Sequence, residues 1–322
     1  MVKNLTIIVI MVLLLGVAAS CDKPPEPVDT QDRTVLGFAQ LGDESEWRSS
    51  NTSDIKRAAE DAGVQLMFEN AQQKQDNQIK ALRSFILNRV DVIAFSPIVE
   101  EGWDNVLMEA KAANIPVILA DRYIKTAEND LYCAFIGSDF KWEGKQAGLW
   151  LLTKFYGEAD TVRIAEISGT ENSSPTIGRY DGFREAIEGD EKFKIVTSVN
   201  GDFLRSKGRE CMENILKETP DIDVLYAHND DMAMGAIEVM EEQVISPGKD
   251  IVVISVDAQK SGVEALKAGK INCLVECSPY VGDELMSLVL KVTKGGHFPK
   301  NTYTKERVFT ETDDFDNLPV RP

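Results

Sequence analysis

The sequence predicts an α/β protein built from two similar, doubly wound parallel sheets. Short runs of apolar and β-branched residues alternate with amphipathic helical stretches, and the alternation starts again after Gly137. Strands that alternate with helices in this way are typical of parallel sheets covered by helices on both faces. The chain has 322 residues, which is enough for two domains of about 100–200 residues each.

Each half contains its own series of strands and helices. The predicted strands of the first half are TVLGFAQ, VQLMFEN, DVIAFSP, IPVILAD and LYCAFIG, and its predicted helices are 47–62, 75–88 and 103–113. The predicted strands of the second half are TVRIAEISG, FKIVTSV, IDVLYAH, DIVVISVD and INCLVECS, and its predicted helices are 141–156, 205–217 and 231–243. In both halves a glycine, Gly63 or Gly269, stands where a helix should end before a strand, as is common for helix C-termini.

The N-terminus indicates export from the cytoplasm. Lys3 precedes the apolar run LTIIVIMVLLLGVAA, which is too short for a membrane span of about 20 residues. Small residues lead into Cys21, followed by a Pro-rich, acidic stretch, and this order resembles a bacterial lipoprotein signal, although Ala18 stands where that pattern usually has Leu. We expect a signal peptide in 1–20, a lipoprotein linker in 21–33 and two acyl chains on Cys21; the alternative is a plain signal peptide.

The net charge and the spacing of the cysteines argue against a basic nucleic-acid-binding protein, a disulfide and a structural zinc site. The formal net charge of −18 excludes a uniformly basic nucleic-acid surface. Cys273 and Cys277 lie in one predicted strand, where their Cα atoms would be about 13 Å apart. That distance is too long for a mutual disulfide, so we expect buried thiols. None of the later cysteines has zinc-site spacing, and both histidines lie elsewhere in the sequence. We expect no structural metal and no cofactor.

Polar side chains collect where the predicted strands end, which is where open α/β sheets bind ligands. The strand ends comprise Gln40 to Arg48, Ser96-Pro97, Asp121-Arg122, Gly169 to Ser174, Asn229-Asp230, Asp257 and Glu276-Cys277. Asp, Asn and Arg pair well with adjacent hydroxyl groups, and Trp47 and Phe203 offer flat apolar faces nearby. This combination suits a sugar, and Ser96 is included among the expected contacts.

Each of these residues also has a structural explanation. Asp121 and Asp230 are acceptable helix caps, and Asp257 is an acceptable turn residue. Trp47 fits a core position, and Arg122 fits a solvated surface. The convergence of all of them on one sheet edge favours the binding site.

Enzyme chemistry has little support in the sequence. It contains no phosphate loop, no GxGxxG, no HExxH and no GxSxG nucleophile elbow. His228 has no candidate nucleophile to serve as a general base. A pair of carboxylates working as a glycosidase is disfavoured because Arg122 would keep Asp121 ionised, whereas a general acid needs a raised pKa. We therefore expect a binding protein and not an enzyme.

Eight motifs between Thr34 and about Val308 carry a family resemblance. They are GFAQLGDESEWR, NAQQKQDNQIKALRSF, IPVILADR, GSDFKWEGKQAG, GRYDGF, GDFLRSKG, YAHNDDMAMGAI and SVDA. With these motifs, the chain resembles the sugar-binding proteins of bacterial ABC importers, in the ribose and galactose cluster. The stretch covers about nine tenths of the sequence after Cys21. The resemblance is closest to the galactofuranose-binding branch.

The resemblance implies two lobes joined by three crossing segments, which is the type I periplasmic binding protein fold. The implied N-terminal lobe is 34–138 plus 278–306, and the implied C-terminal lobe is 139–277 plus 307–322. The crossings are expected near Ser138-Asp139, near Glu276 to Pro279 and close to Arg307.

The resemblance also implies roles for individual residues. Asp121 and Arg122 bind sugar hydroxyls, and Trp47 stacks on the ring. In the other lobe Phe203 supplies a wall. The hydroxyl contacts of that lobe come from Asn229 and Asp257. Within YAHNDDM, we expect Asn229 against the ligand, Asp230 as a helix cap or second contact, and Asp231 as a first-turn charge favoured by the helix dipole.

Two departures from the ribose binders disfavour ribose as the ligand. Ile177 stands where those proteins have an arginine, two positions before the arginine that matches Arg179. Cys277, beside Glu276, replaces their glutamine. We expect Arg48, which matches the galactofuranose branch, to bind the ligand and to supply the guanidinium lost at Ile177.

The resemblance implies an extracytoplasmic lipoprotein that captures a monosaccharide by hinge closure and delivers it to an ABC importer. The expected sugar is galactofuranose-like, or another pentose or hexose. The expected partners are the permease subunits and, through the lipid anchor, the membrane; we expect a monomer. The alternative is a sensory binding protein that presents the sugar to a membrane receptor or kinase. A sugar-responsive repressor is excluded, because the chain has an export signal and no DNA-binding headpiece.

Overall fold

The structure, a computed structural model, describes residues 33–158 and 160–314. The predicted signal peptide, the predicted lipidation of Cys21 and most of the predicted linker lie outside these residues. None of the helices within the described ranges is both long enough and apolar enough to cross a membrane.

The described residues contain nine helices and twelve strands in an almost regular alternation. The helices are α1 Glu46–Asp61, α2 Gln75–Leu87, α3 Asp104–Ala112, α4 Phe140–Lys154, α5 Ser174–Ile187, α6 Arg205–Glu218, α7 Asp230–Glu242, α8 Lys260–Lys267 and α9 Gly282–Thr293. The strands are β1 Val35–Gln40, β2 Gln65–Asn70, β3 Val92–Phe95, β4 Val117–Ala120, β5 Ala134–Gly137, β6 Val162–Ser168, β7 Phe193–Asn200, β8 Val224–Ala227, β9 Val252–Asp257, β10 Cys273–Glu276, β11 Asn301–Tyr303 and β12 Val308–Thr310.

These strands form two six-stranded sheets, which define two lobes. The sheet of the first lobe has the order β11-β5-β4-β3-β1-β2, and that of the second lobe has the order β12-β10-β9-β8-β6-β7. All pairs in the first sheet are parallel, and the second sheet is parallel except at its edge, where β12 runs antiparallel to β10. The predicted fold class, two doubly wound lobes joined by three segments, is confirmed.

The helices cover both faces of each sheet and bury its apolar residues. In the first lobe, Phe38 lies in one apolar cluster with Leu285 of α9, and Phe95 lies in a second cluster with Leu82 of α2. The second lobe also has two clusters, one around Met232 and one around Phe183. Strands buried on both faces explain the continuous apolar runs that marked them in the sequence.

The chain passes between the lobes three times. It leaves the first sheet after β5, returns after β10 to form α9 and β11, and leaves again to form β12. These passages, 138–139, 277–281 and 304–307, lie where the resemblance places the crossings. The residue at which each lobe begins or ends stays a prediction.

Candidate functional site

A cavity lies between the two lobes, at the carboxyl ends of their strands. It measures about 290 Å³, including the part that opens to solvent. Its lining residues are Glu44, Ser45, Trp47, Arg48, Asp121, Arg122, Phe140, Pro175, Arg179, Phe203, Asn229, Asp257 and Cys277. Seven of the eight predicted contact residues therefore line one cavity.

Ser96 is the predicted residue that lies outside the cavity wall. Its hydroxyl donates to Asp121 Oδ2 at 3.1 Å and accepts from Arg48 Nη1 at 3.2 Å. Ser96 thus holds two cavity residues in place. Asp121 follows β4 with a φ of +70°, in the left-handed region that Asp tolerates better than most residues.

Almost all hydrogen-bond donors of the Arg48 guanidinium are used by side chains of its own lobe. Its Nη2 donates to Asp121 Oδ2 at 2.8 Å, its Nε donates to Glu44 Oε1 at 3.2 Å, and its Nη1 donates to Gln40 as well as Ser96. Burial lowers the pKa of Arg48, but Asp121 and Glu44 outweigh burial and raise it above its ordinary value. The guanidinium is held by the protein, with few donors left for a ligand.

Arg122 is buried with fewer partners. Its Nη1 donates to the carbonyl oxygen of Ile98 at 3.2 Å, whereas its Nε is buried without a hydrogen-bond partner. Burial and the nearby Arg48 lower the pKa of Arg122 to about 10. An unsatisfied buried donor is costly, so a ligand that accepts from this guanidinium is favoured.

Arg179 provides the matching cation of the second lobe. Its Nε donates to Glu143 Oε2 at 2.7 Å, and its Nη1 donates to the carbonyl oxygen of His228. Its Nη2 lies 3.6 Å from Asp257 Oδ1. Burial raises the pKa of Asp257 well above its usual range, and Arg179 opposes that rise.

Arg179 and Ile177 lie on different faces of α5. Arg179 is on the face that meets the cavity, while Ile177 lies at a separate surface groove. Successive residues of an α-helix are rotated by about 100° around its axis, so two side chains that are two residues apart lie on nearly opposite faces of the helix. That Arg48 supplies the guanidinium missing at Ile177 stays a prediction.

The polar residues after β8 agree with the predicted roles only in part. Asn229 lines the cavity, but it is also the N-cap of α7, because its Oδ1 accepts from the backbone N–H of Met232 at 3.0 Å. Asp230 is not the cap; its carboxylate accepts from the Ser255 hydroxyl at 2.6 Å. Asp231, expected as a simple first-turn charge, accepts the backbone N–H of Glu46 from the other lobe at 2.7 Å.

Two aromatic side chains form apolar walls of the cavity. The Phe203 ring lies 5.3 Å from the Arg122 guanidinium and 5.9 Å from that of Arg179, within cation–π range of both. It packs on Gly169 so closely that a Cβ at that position would lie 1.9 Å from the ring. Trp47 is also buried, and its indole N–H donates to the carbonyl oxygen of Cys277 at 2.8 Å.

The lobes also touch outside the cavity wall, so the structure is a closed arrangement. Besides the bond between Asp231 and Glu46, the Ser261 hydroxyl donates to Glu46 Oε2 at 2.6 Å. On the other side of the cavity, the backbone N–H of Tyr123 donates to Ser174 Oγ at 2.9 Å. These bonds join loops and helix ends from both lobes.

Several cavity residues are not among the contacts predicted from the sequence. They are Glu44, Ser45, Phe140, Pro175, Arg179 and Cys277. Phe140 and Pro175 lie in the first turns of α4 and α5, and the sequence pattern did not predict α5. The signal that was available is the pair of GxxxG spacings, Gly144 with Gly148 and Gly178 with Gly182, which favours close packing of these two helices.

His228 is enclosed within the second lobe. It is fully buried, and its Nε2 lies 3.1 Å from Glu166 Oε1. Burial lowers the pKa of His228, and Glu166 opposes that effect. The residue lies beside the cavity, next to Asn229, and its side chain is buried in the second lobe.

Among the described residues, one group of three side chains has donor atoms close enough to ligate a metal. Glu143, Cys277 and Glu306 each contribute one donor atom, and these atoms lie within 4.8 Å of one another. Protein groups already use much of this capacity: Glu143 is paired with Arg179, and Glu306 Oε1 accepts from Ser138 Oγ at 2.5 Å. The described cysteines, including Cys273 and Cys277, form no disulfide.

This chain is similar in sequence to a protein of known function, and in sequence and fold to proteins of known structure. The chain is 41% identical over 279 residues to the galactofuranose-binding protein YtfQ of Escherichia coli (strain K12), which covers 85% of this chain and 87% of that protein. It is 48% identical to a protein of Mycobacterium smegmatis crystallised in complex with β-D-fucofuranose, with a TM-score of 0.85 and coverage of 86% of this chain and 91% of that one.

A third relative is the periplasmic binding component of the arabinose ABC transporter from Shewanella sp. ANA-3, bound to α- and β-L-arabinofuranose. It is 42% identical, has a TM-score of 0.83, and the match covers 86% of this chain and 92% of that one. The family model described as periplasmic binding protein domain matches residues 36–297. The chain belongs to the periplasmic binding protein family.

Proposed function

We propose that this protein captures a monosaccharide in its furanose form between its two lobes and delivers it to an ABC importer. The observation that carries the proposal is the cavity between the lobes, in which carboxylate, amide, guanidinium and aromatic side chains converge from both lobes. The three relatives described above bind furanoses or are named for one, and they are 41–48% identical to this chain.

The cavity offers what sugar hydroxyls require. Each hydroxyl both donates and accepts, so Asp121 and Asp257 are suitable acceptors, and Arg122 and Arg179 are suitable donors. Asn229 keeps one amide hydrogen and one oxygen lone pair beyond its bonds to Phe203 O and Met232 N. The apolar C–H faces of the ring would pack on Trp47 and Phe203.

Binding in this cavity would favour closure. A sugar that contacts Asp121 and Arg122 in the first lobe, and Asn229 and Asp257 in the second, makes its full set of bonds only when the lobes are together. The closed state would then be the form recognised by the permease. Hydrogen bonds to charged groups, worth about 1.5–3 kcal/mol each, are sufficient for micromolar or tighter affinity.

The lipid anchor and the oligomeric state form part of the proposal. Acylation of Cys21 would hold the binding domain, as a monomer, at the outer face of the membrane beside its permease. The family to which the chain belongs works outside the cytoplasm. A sensory role would use the same cavity, but the arabinose relative named above is an importer component, which favours import.

Isothermal titration calorimetry of the purified protein tests the sugar assignment. The panel would contain D-galactose, D-fucose, L-arabinose and D-ribose, and we expect heat from one or more of the first three. Because a protein that selects a minor ring form binds the free sugar with an affinity reduced by the fraction in that form, the measured affinity should rise with the furanose fraction. Silence across the whole panel would refute the assignment.

Metabolic labelling with palmitate tests the anchor separately. We expect incorporation in the natural protein and none in Cys21→Ser. Label that persists in the variant would show that Cys21 is not the site.

A further inference from the structure

Glu143 touches the cavity arginine of the second lobe without lining the cavity itself. The residue is fully buried in α4, and its Oε2 accepts from Arg179 Nε at 2.7 Å. This bond and the bond from Arg179 Nη1 to the carbonyl oxygen of His228 fix two edges of the guanidinium. The third nitrogen, Nη2, lies at the longer distance of 3.6 Å from Asp257.

Close packing of α4 on α5 is what brings Glu143 to Arg179. A Cβ at Gly144 would lie 2.2 Å from the carbonyl oxygen of Arg179, and a Cβ at Gly182 would lie 2.0 Å from that of Lys141. The two backbones therefore touch, as they do in pairs of helices with small residues four apart. The carboxylate and the guanidinium are set opposite each other by this backbone contact and not by a flexible loop.

The other side of Glu143 faces the segments that join the lobes. Its second oxygen, Oε1, is buried without a hydrogen bond, and a carboxylate oxygen of Glu143 lies within 4.8 Å of donor atoms of Cys277 and Glu306. Glu306 Oε1 accepts from Ser138 Oγ in the first crossing and from the Ser278 N–H at 3.1 Å in the second. It also accepts from Thr304 Oγ1 at 2.7 Å in its own, third crossing.

We propose that Glu143 is a positioning residue for ligand binding, which holds the Arg179 guanidinium at the cavity wall. The proposal rests on the proposed function, since it assumes that the cavity takes a sugar. Without Glu143, Arg179 would lose its closest anion. Asp257, already 3.6 Å away, would become its nearest anion, and both groups would be withdrawn from sugar hydroxyls.

Three variants of position 143 test this role by calorimetry with the best sugar of the panel. We expect Glu143→Ala to weaken binding about tenfold to a hundredfold, as for loss of one hydrogen bond to a charged group. Glu143→Gln should recover most of that loss, because its amide oxygen can still accept from Arg179 Nε. If Glu143→Ala does not fold, Glu143→Asp takes its place; its shorter chain should bind more weakly than Gln despite keeping the charge.

Glu185→Ala is the matched control on the same helix pair. Glu185 joins α5 to Lys141 and Lys145 of α4 at the exposed edge, away from the cavity, so sugar affinity should not change. Equal affinity of the natural protein and Glu143→Ala would overturn the proposal, as would a Gln variant no better than Ala. A natural protein that binds no sugar would refute the proposed function, and this inference with it.

Discussion

The three cavity arginines differ in how fully the protein satisfies them. Arg48 donates to four side chains of its own lobe, and Arg179 donates to Glu143 and a backbone carbonyl. Arg122 donates to one carbonyl and keeps a buried Nε without a hydrogen bond, 3.8 Å from Asp121 Oδ2. Since an unpaired buried donor gains most from a ligand, Arg122 is the arginine we expect to donate most strongly to the sugar, with Arg48 holding Asp121 in place.

Asn229 has both a structural and a binding role, and two substitutions separate them. Asn229→Ala removes the N-cap of α7 together with the cavity amide, so the free energy of unfolding should fall by about 0.5–2 kcal/mol and sugar binding should be lost. Asn229→Ser keeps a capping oxygen but no amide. It should unfold close to the natural protein in urea and still bind sugar poorly.

The contrary result for Asn229 is equally clear. If Asn229→Ser restores sugar affinity along with stability, the residue acts only as a helix cap. Urea unfolding of the sugar-free proteins and calorimetry on the same samples distinguish the two outcomes.

At the scale of elements, the contact between α4 and α5 depends on glycine. We expect Gly144→Ala to cost about 1–3 kcal/mol in the free energy of unfolding, because the new methyl group would overlap the carbonyl oxygen of Arg179 and force the helices apart. Gly189→Ala is the control, since a Cβ there meets nothing within 4 Å. Equal urea midpoints for the two variants would contradict the packing argument.

Strands and their ends were predictable from sequence because two simple rules govern them. Buried parallel strands are continuous apolar runs in the sequence. The polar residue that follows each run lies at the carboxyl end of its strand, which is where open α/β sheets bind ligands. Asp121, Asn229 and Asp257 were found in this way, and the six helices predicted from periodicity agree with the structure within two residues at each end.

Residues on helices were harder to assign than residues at strand ends. Arg179 reaches the cavity because α5 packs closely on α4, and which face of α5 turns inward depends on that tertiary contact. A similar limit applies to the cap of α7. Asn229 and Asp230 both have side chains that can cap a helix, and only the backbone of the first turn decides between them.

At the scale of the whole molecule, residues of all three crossings donate hydrogen bonds to the carboxyl group of Glu306. Burial, together with Glu143, raises the pKa of Glu306 from its ordinary 4.5 to about 8. At a pH between these two pKa values, Glu306 is protonated in the folded protein and ionised in the unfolded chain. Glu306 therefore makes the free energy of unfolding fall as pH rises from about 5 to about 8. Glu306→Gln resembles the protonated form and does not titrate.

The difference between natural protein and Glu306→Gln isolates this effect from other buried acids. Asp230 and Asp231, with pKa values raised to about 7 and about 6, mainly by burial, affect both proteins alike. We expect the variant to gain stability relative to the natural protein as pH rises through this window, measured by urea unfolding. A difference that does not vary with pH would show that Glu306 is already ionised near neutrality.

The contact between Asp231 and Glu46 closes the lobes at a point outside the cavity wall. Asp231→Ala should shift the sugar-free protein towards the open state, giving a larger radius of gyration in small-angle scattering and an affinity lower by up to about tenfold. Glu238→Ala, on the same helix but paired with Arg205 of its own lobe, is the control. A change of the same size in both variants would exclude a role in closure.

The central claim, that a furanose is enclosed between the lobes, is tested most directly by carbon NMR of a bound sugar. L-Arabinose or D-galactose labelled at the anomeric carbon would be added to the protein below saturation. We predict a resonance of the bound sugar at the chemical shift of a furanose, which disappears in Arg122→Ala. A bound resonance at the shift of a pyranose, or no bound resonance for any sugar that releases heat, would contradict the account.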